Sequence, residues 1–325
     1  MGKFTSITLL FLLFYTSAFP QGAYGYKPHP FLSPMWQADM EYLEPSQVTD
    51  TSMENGFTGA AFTWRIPLYT GKDWLGADGG KPLFAVIGQF NASARRSQID
   101  YIEPDRLLTQ GRVGITGLMA PRLRNLYLLN LSLAMPTESF RVSARGLRLN
   151  GALVWRKLYH NNIWWHTLGL TFTPVWGRDL ILPMAGFGVK LGNDDQIQLT
   201  YPFNAAYTHV FSRKMSLTLR IQNMGGYHFL QPDSVHDSDP LIYRFNHPRL
   251  GILARFYTHR HVVLTPEIAC TGFNRLEIDE KESRQDPALY FRMSVQVRFG
   301  KRPAAAPILN FDPGDFGFDP TYLVE

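Results

Sequence analysis

Apolar and polar positions alternate with a period of two along most of this chain, the mark of strands whose two faces meet unlike surroundings. Tyr127, Leu129, Leu131 and Leu133 oppose Asn130, Ser132 and Ala134. Met215, Leu217, Leu219 and Ile221 oppose Ser216, Thr218, Arg220 and Gln222. Near the end Leu289, Phe291, Met293, Val295, Val297 and Phe299 oppose Tyr290, Arg292, Ser294, Gln296 and Arg298. The pattern predicts strands over 35–43, 57–69, 83–94, 112–120, 125–134, 146–157, 163–173, 181–190, 196–202, 205–211, 215–229, 242–257, 262–272 and 287–299. Most run ~9–13 residues, the length a tilted strand needs to cross a bilayer core and longer than the ~5–6 usual in soluble sheets. The fold class expected is all-β, a transmembrane antiparallel up-and-down β-barrel of about 12–14 strands.

The connections add a second signal. If residue 35 starts a strand leaving the periplasm, the turns near 121–124, 158–162, 191–195, 212–214 and 258–261 fall on the periplasmic side and are short, as bacterial outer-membrane barrels have them. The links at 44–56, 95–111, 135–145, 174–180, 230–241 and 273–286 then face outward, and most are long. Segment 70–82 is long where a turn belongs, and the link at 203–204 is short where a loop belongs, so a miscount by one hairpin stays open. Pro67, Pro183, Pro202 and Pro266 fall in or beside strands and require bulges or strand ends, because a closed barrel has no edge to shelter them. A secreted β-sandwich or lipocalin-like protein also alternates and is the rival fold.

Composition narrows the class. The 325 residues are 45% hydrophobic and 18% charged, which excludes disorder, and 14% aromatic with 27 Gly and 22 Pro favours many strands broken by turns. A charged start at Lys3, an apolar run from Ile7 to Phe14 and small residues Thr16, Ser17 and Ala18 have the layout of a cleaved secretory signal. That run is too short for a spanning helix, which needs ~20 residues. The expected organisation is a signal peptide at 1–22, a barrel at 23–302 and an acidic-aromatic tail at 303–325. Cys270 is the only cysteine, so no internal disulfide framework exists, and its alternation with Ile268 directs it toward lipid as a small apolar group.

Aromatic placement fits the membrane reading. Trp155 and Tyr159 precede the turn at 160–162, and Trp164 and Trp165 follow it. Indole and phenol rings favour a membrane–water interface, so these four are expected in one aromatic girdle. The sequence resembles an uncharacterised Bacteroidetes-type family of outer-membrane β-barrel proteins, a domain of unknown function. The resemblance rests on Met40-Glu41-Tyr42-Leu43-Glu44-Pro45-Ser46, on Arg65-Ile66-Pro67-Leu68 and above all on "LPMAGFGVKLGNDDQIQLTYPFNAAYTHVFSRKMSL" at 182–217. It implies an outer-membrane location over roughly residues 30–300, with outer-membrane lipid as the surrounding partner, and assigns no activity. The extension after Phe299 departs from the usual barrel ending.

The inward face is the candidate site. Alternation directs Arg65, Arg148, Arg156, Lys190, Arg220, Arg255, Arg292 and Arg298 into the lumen against Asp39, Glu41 and Glu267. Basic rings select anions, so a passive pore for small anionic solutes is the leading function, while inward arginines that pair with acids and fill the barrel are the structural alternative. A non-conducting envelope scaffold, or an accessory subunit of a transport or secretion complex, is the rival function. An outer-membrane hydrolase is a further alternative, with His209 and His228 as candidate bases, but no Gly-x-Ser-x-Gly nucleophile motif occurs, and no enzyme activity is expected. His259 and His261 sit at a tight turn and the acids of 233–240 lack the spacing of a calcium loop, so no metal and no cofactor is expected. Nothing suggests nucleic-acid binding. In the tail, Phe311-Asp312-Pro313 recurs as Phe318-Asp319-Pro320 without any Lys or Arg, which suits a periplasmic partner or a plug for a basic lumen.

Overall fold

A computed structural model describes residues 34–49, 53–70, 83–99, 107–122, 125–138, 147–159, 163–175, 178–192, 194–202, 204–212, 214–230, 241–258, 262–278 and 281–299. The signal segment, the tail, the 233–240 loop and the His259–His261 pair lie outside these residues.

The strands are β1 (Met35–Gln47), β2 (Glu54–Thr70), β3 (Leu83–Ile99), β4 (Leu107–Arg122), β5 (Asn125–Glu138), β6 (Arg148–Tyr159), β7 (Trp164–Val175), β8 (Arg178–Leu191), β9 (Asp195–Tyr201), β10 (Asn204–Ser212), β11 (Met215–Leu230), β12 (Leu241–Tyr257), β13 (Val262–Thr271), β14 (Asn274–Ile278), β15 (Lys281–Gln285) and β16 (Leu289–Arg298). From β1 to β13 each strand pairs antiparallel with the next; β13 pairs with β16, and β16 returns to β1. The result is a closed barrel of 14 antiparallel strands, an architecture that leaves no sheet edge around its circumference at that level.

The short pair β14–β15 corrects the expectation of an outward loop over 273–286. Met35 opposite Arg298 and Val48 opposite Gln285 belong to one continuous register, so β15 prolongs β16 along β1. β14 likewise prolongs β13 along β12, after a one-residue shift between Arg249↔Thr271 and Asn246↔Arg275. A bulge at Gly272-Phe273 absorbs the extra residue, with Phe273 in the left-handed region at φ 53. Polar side chains stitch it. Asn274 Nδ2 donates to Thr271 Oγ1 and to the Asp286 carbonyl, both at 2.9 Å, and Gly272 N donates to the Pro248 carbonyl at 2.8 Å. The periodicity breaks at this bulge, and that break is what made the segment look like a loop.

Each proline occupies a place that tolerates a missing donor. Pro67 lies at the register shift between β2 and β3, and Pro202 lies in the β9–β10 turn. Pro266 falls where the β12–β13 ladder skips from Leu253↔Glu267 to Phe256↔Leu264. Pro183 sits on a part of β8 that extends past β9, whose pairing with β8 stops at Ala185↔Tyr201.

The base of the barrel carries the strand ends Met35, Arg122, Asn125, Tyr159, Trp164, Leu191, Asp195, Ser212, Met215, Tyr257, Val262 and Arg298; the opposite end is the rim. Outside, Met40, Val113, Ile115, Leu129, Leu131, Leu153, Leu170, Leu219 and Ile252 are exposed, forming an apolar wall far larger than scattered surface residues would make. Inside, Leu43, Phe57, Ala269, Ala288 and Tyr290 form one cluster, and Val48, Leu108, Tyr243, Phe245 and Leu276 form another nearer the rim.

Candidate functional site

Cross-strand register fixes which side chains point inward. Arg65 and Arg298 lie opposite buried Met35, Arg148 opposite buried Ala134, Arg156 opposite buried Thr167 and Arg255 opposite buried Ser216. Arg220, Arg292 and Lys190 lie opposite Gly251, Glu41 and Gln196. All eight therefore share the inner face. Arg95, Arg112 and Arg249 share it too, beyond the eight expected from the sequence. The signal was present: Arg95 and Arg112 alternate with Asn91 and Gly114, and Arg249 with Gly251 and Leu253.

These charges divide into two populations. The first forms a network on β1, β3, β11, β12, β13 and β16. Arg95 Nε donates to Glu41 Oε1 at 2.7 Å, and Tyr290 Oη donates to Glu41 Oε2 at 3.1 Å. Arg292 Nη2 donates to Asp39 Oδ1 at 2.9 Å. Arg220 holds Glu267 through two bonds, at 2.6 and 3.0 Å, and Arg249 approaches the same carboxylate at 3.6 Å. The Arg249 guanidinium lies 4.4 Å from the Tyr290 ring centre and its side chain is fully buried. A glycine makes one reach possible: Gly59 stands between Glu41 and Arg95 across β2, and a Cβ there would lie 2.7 Å from Glu41 Oε1 and 3.0 Å from Arg95 Cγ. Gly251, opposite Arg220 on the neighbouring strand, packs tightly against β13, where a Cβ would lie 2.5 Å from Ala269 Cβ.

The second population lines the opposite wall. Arg148, Arg156 and Lys190 stand among uncharged polar groups such as Asn130, Thr171, Gln198 and Thr200, with no acid among the described inward residues of β6 to β10. Ser132 Oγ and Gln198 Nε2 on this wall have no protein hydrogen-bond partner, so it suits a hydrated or ligand-filled interior. Toward the base it becomes apolar through Leu126, Leu128, Val154 and Leu158. The backbone of β11 comes within 8 Å of β5 and of β7, pinching the interior between these two walls.

At the base, the outward rings are stacked. Tyr159 and Trp164 lie face to face at 3.9 Å, Trp155 meets His166 edge-on at 5.0 Å, and Trp164 leans on Phe187 at 6.2 Å. Trp36 with Phe299 and Tyr69 with Phe84 continue the belt around the barrel. Trp165 is a correction: it is buried, one residue out of phase with Trp164, and its ring lies 5.6 Å from the Arg156 guanidinium inside. A period of two cannot place neighbours on the same face.

The remaining candidates separate. His209 bonds Asp195 Oδ1 at 2.8 Å on the outer surface near the base, whereas His228 is buried near the rim, stacked on Phe245. Cys270 is exposed on the outer wall. Among the described residues no group of three or more His, Cys, Asp or Glu is gathered that could hold a metal ion.

No protein-family model matches the chain, and no curated protein matches it. Among solved structures it is similar to an outer membrane channel from Pseudomonas putida F1, at 6% identity and a TM-score of 0.45 over 86% of this chain and 100% of that one. It is also similar to OpdL of Pseudomonas aeruginosa, at 9% identity and 0.31 over 82% and 99%, and to the translocator domain of the autotransporter NalP from Neisseria meningitidis, at 11% and 0.28 over 91% and 96%. At such identities and scores none of their activities passes to this chain.

Proposed function

We propose that this protein spans the bacterial outer membrane and forms a passive path for small anionic solutes, with residues 1–22 as export signal and without a catalytic step of its own. The supporting observation is the inner face, where Arg65, Arg95, Arg112, Arg148, Arg156, Lys190, Arg220, Arg249, Arg255, Arg292 and Arg298 stand against Asp39, Glu41 and Glu267. Among the described inward side chains the basic groups outnumber the acidic ones, and a positive lining favours anions. The apolar exterior supports the membrane location, because a wall of exposed Leu, Ile and Val is stable only against hydrocarbon or a partner. Membership of the Bacteroidetes-type family is part of the proposal and rests on the run at 182–217.

Planar-bilayer recording under a KCl gradient tests it. Discrete steps with a reversal potential displaced toward that of chloride are expected, and Arg65→Glu with Arg255→Glu shifts it toward potassium. A second reading, a non-conducting scaffold or accessory subunit, is favoured by the pinch of β11 against β5 and by fully buried Leu43, Arg249 and Tyr290 in the interior. Electrical silence from correctly assembled barrels, with and without residues 303–325, selects that reading.

A further inference from the structure

From Phe187 to Leu219 the outward strand positions of β8 to β11 are apolar or aromatic, Val189, Ile197, Leu199 and Leu217 among them, with two exceptions. The exceptions are Asp195 and His209. They face each other across the β9–β10 ladder, and their alternation with buried Gln198 and with inward Thr208 turns both toward the outside. Asp195 opens β9 at the base as Trp164 opens β7, so the pair lies at the level of the aromatic girdle.

Their geometry commits one carboxylate oxygen and leaves the other open. Tyr207 Oη donates to Asp195 Oδ1 at 2.5 Å, and His209 Nδ1 donates to the same oxygen at 2.8 Å, since a carboxylate can only accept. Oδ2 accepts no hydrogen bond from any described residue. Phe211 stands edge-on to the His209 ring with centres 4.4 Å apart, and it is 59% exposed. The Asp195 and His209 side chains are themselves 30% and 35% exposed, so a molecule beside the wall can reach them.

Charged groups on the lipid-facing side of a barrel are costly at the middle of the bilayer and cost little at its interface. A headgroup can supply what Oδ2 lacks. A primary ammonium makes a charge-assisted N–H···O bond to a carboxylate, and the rings of Tyr207 and Phe211 offer a cation their faces. His209 Nε2 lies across the ring from the bonded Nδ1, where it offers a donor to a phosphate oxygen when the ring is charged. A negative and a basic group side by side match the two charges of a zwitterion.

We propose that Asp195, Tyr207, His209 and Phe211 form a headgroup site for a phospholipid that carries a primary ammonium, with its acyl chains along Ile197, Leu199 and Leu219. The ammonium meets Asp195 Oδ2 and the phosphate meets His209. This inference rests on the membrane-barrel reading but not on conduction, because the site lies on the outer wall.

The test uses the full mature chain in detergent micelles, mixed with equal amounts of phosphatidylethanolamine, phosphatidylcholine and phosphatidylglycerol of matched acyl chains, and read by native mass spectrometry. Phosphatidylethanolamine is expected to be retained in preference to the other two, of which one has no N–H on its cation and the other has no cation. Asp195→Asn keeps the shape and removes the charge; it is expected to lower phosphatidylethanolamine retention about tenfold, the size of one lost charge-assisted hydrogen bond, and to erase the preference. Asp195→Leu, which copies the apolar neighbours, takes its place if that variant does not assemble. Equal retention of the three lipids overturns the site, as does a preference that survives the substitution. A chain that stays dispersed without detergent overturns the membrane reading itself, and so the two failures are told apart.

Discussion

Glu267 is the acid on which the interior charge network converges, because it faces both Arg220 and Arg249 with its own side chain fully buried. Replacing it by Gln removes the carboxylate that two buried guanidiniums face, and removal of one partner from a buried pair costs ~3–5 kcal/mol. Glu267→Gln is therefore expected to lower the unfolding midpoint of the reconstituted barrel sharply, as read by heat-dependent gel mobility. Gly59 matters for the opposite reason, since there is no room for a methyl group between Glu41 and Arg95. Gly59→Ala is expected to destabilise by ~1–3 kcal/mol in urea titration, the usual cost of overpacking. Gly117→Ala is its control. A Cβ there meets nothing closer than 3.8 Å, and the substitution is expected to be near neutral. The two tryptophans at 164 and 165 separate inside from outside. In single-tryptophan variants, brominated lipid is expected to quench Trp164 and to spare Trp165; equal quenching would refute the assigned faces.

At the scale of elements, the hairpin made of β13–β14 and β15–β16 is held in one register by a stitched bulge. Asn274 supplies two of its bonds, each worth ~0.5–1.5 kcal/mol net. Asn274→Ala is expected to speed amide exchange over 274–285 while leaving 289–298 protected, because the lower part is fixed by β1 on one side and β13 on the other. Faster exchange across the whole hairpin would mean that the bulge supports the barrel and not just its upper extension. The β9–β10 turn shows the converse: its shortness was visible in the sequence as a link of two residues where a loop was expected, yet that it stands lower than its neighbours depends on how far β8 and β11 rise beside it.

For the whole molecule, the tail is the part whose role charge alone suggests. Residues 303–325 contain Asp312, Asp315, Asp319 and Glu325 and no Lys or Arg, and the barrel interior is basic. The interior is also occupied, with Leu43, Tyr290 and Arg249 fully buried and β11 drawn against β5. We expect deletion of 303–325 to leave single-channel conductance unchanged and to abolish co-purification of a periplasmic partner cross-linked in intact envelopes. A rise in conductance on deletion would assign the tail to the lumen as a plug.

The alternation of side chains by itself determined the strands, their antiparallel succession and which basic residues turn inward, because period two is a local property that every residue obeys. It failed where the period itself fails, at the Gly272-Phe273 bulge, and where aromatic character was allowed to outweigh phase, at Trp165. Only the tertiary structure decided what those inward charges do. Whether Arg292 meets Asp39, whether Gly59 clears a path for Arg95, and whether β11 closes on β5 all depend on strands distant in sequence, brought together by shear and closure that no single strand encodes.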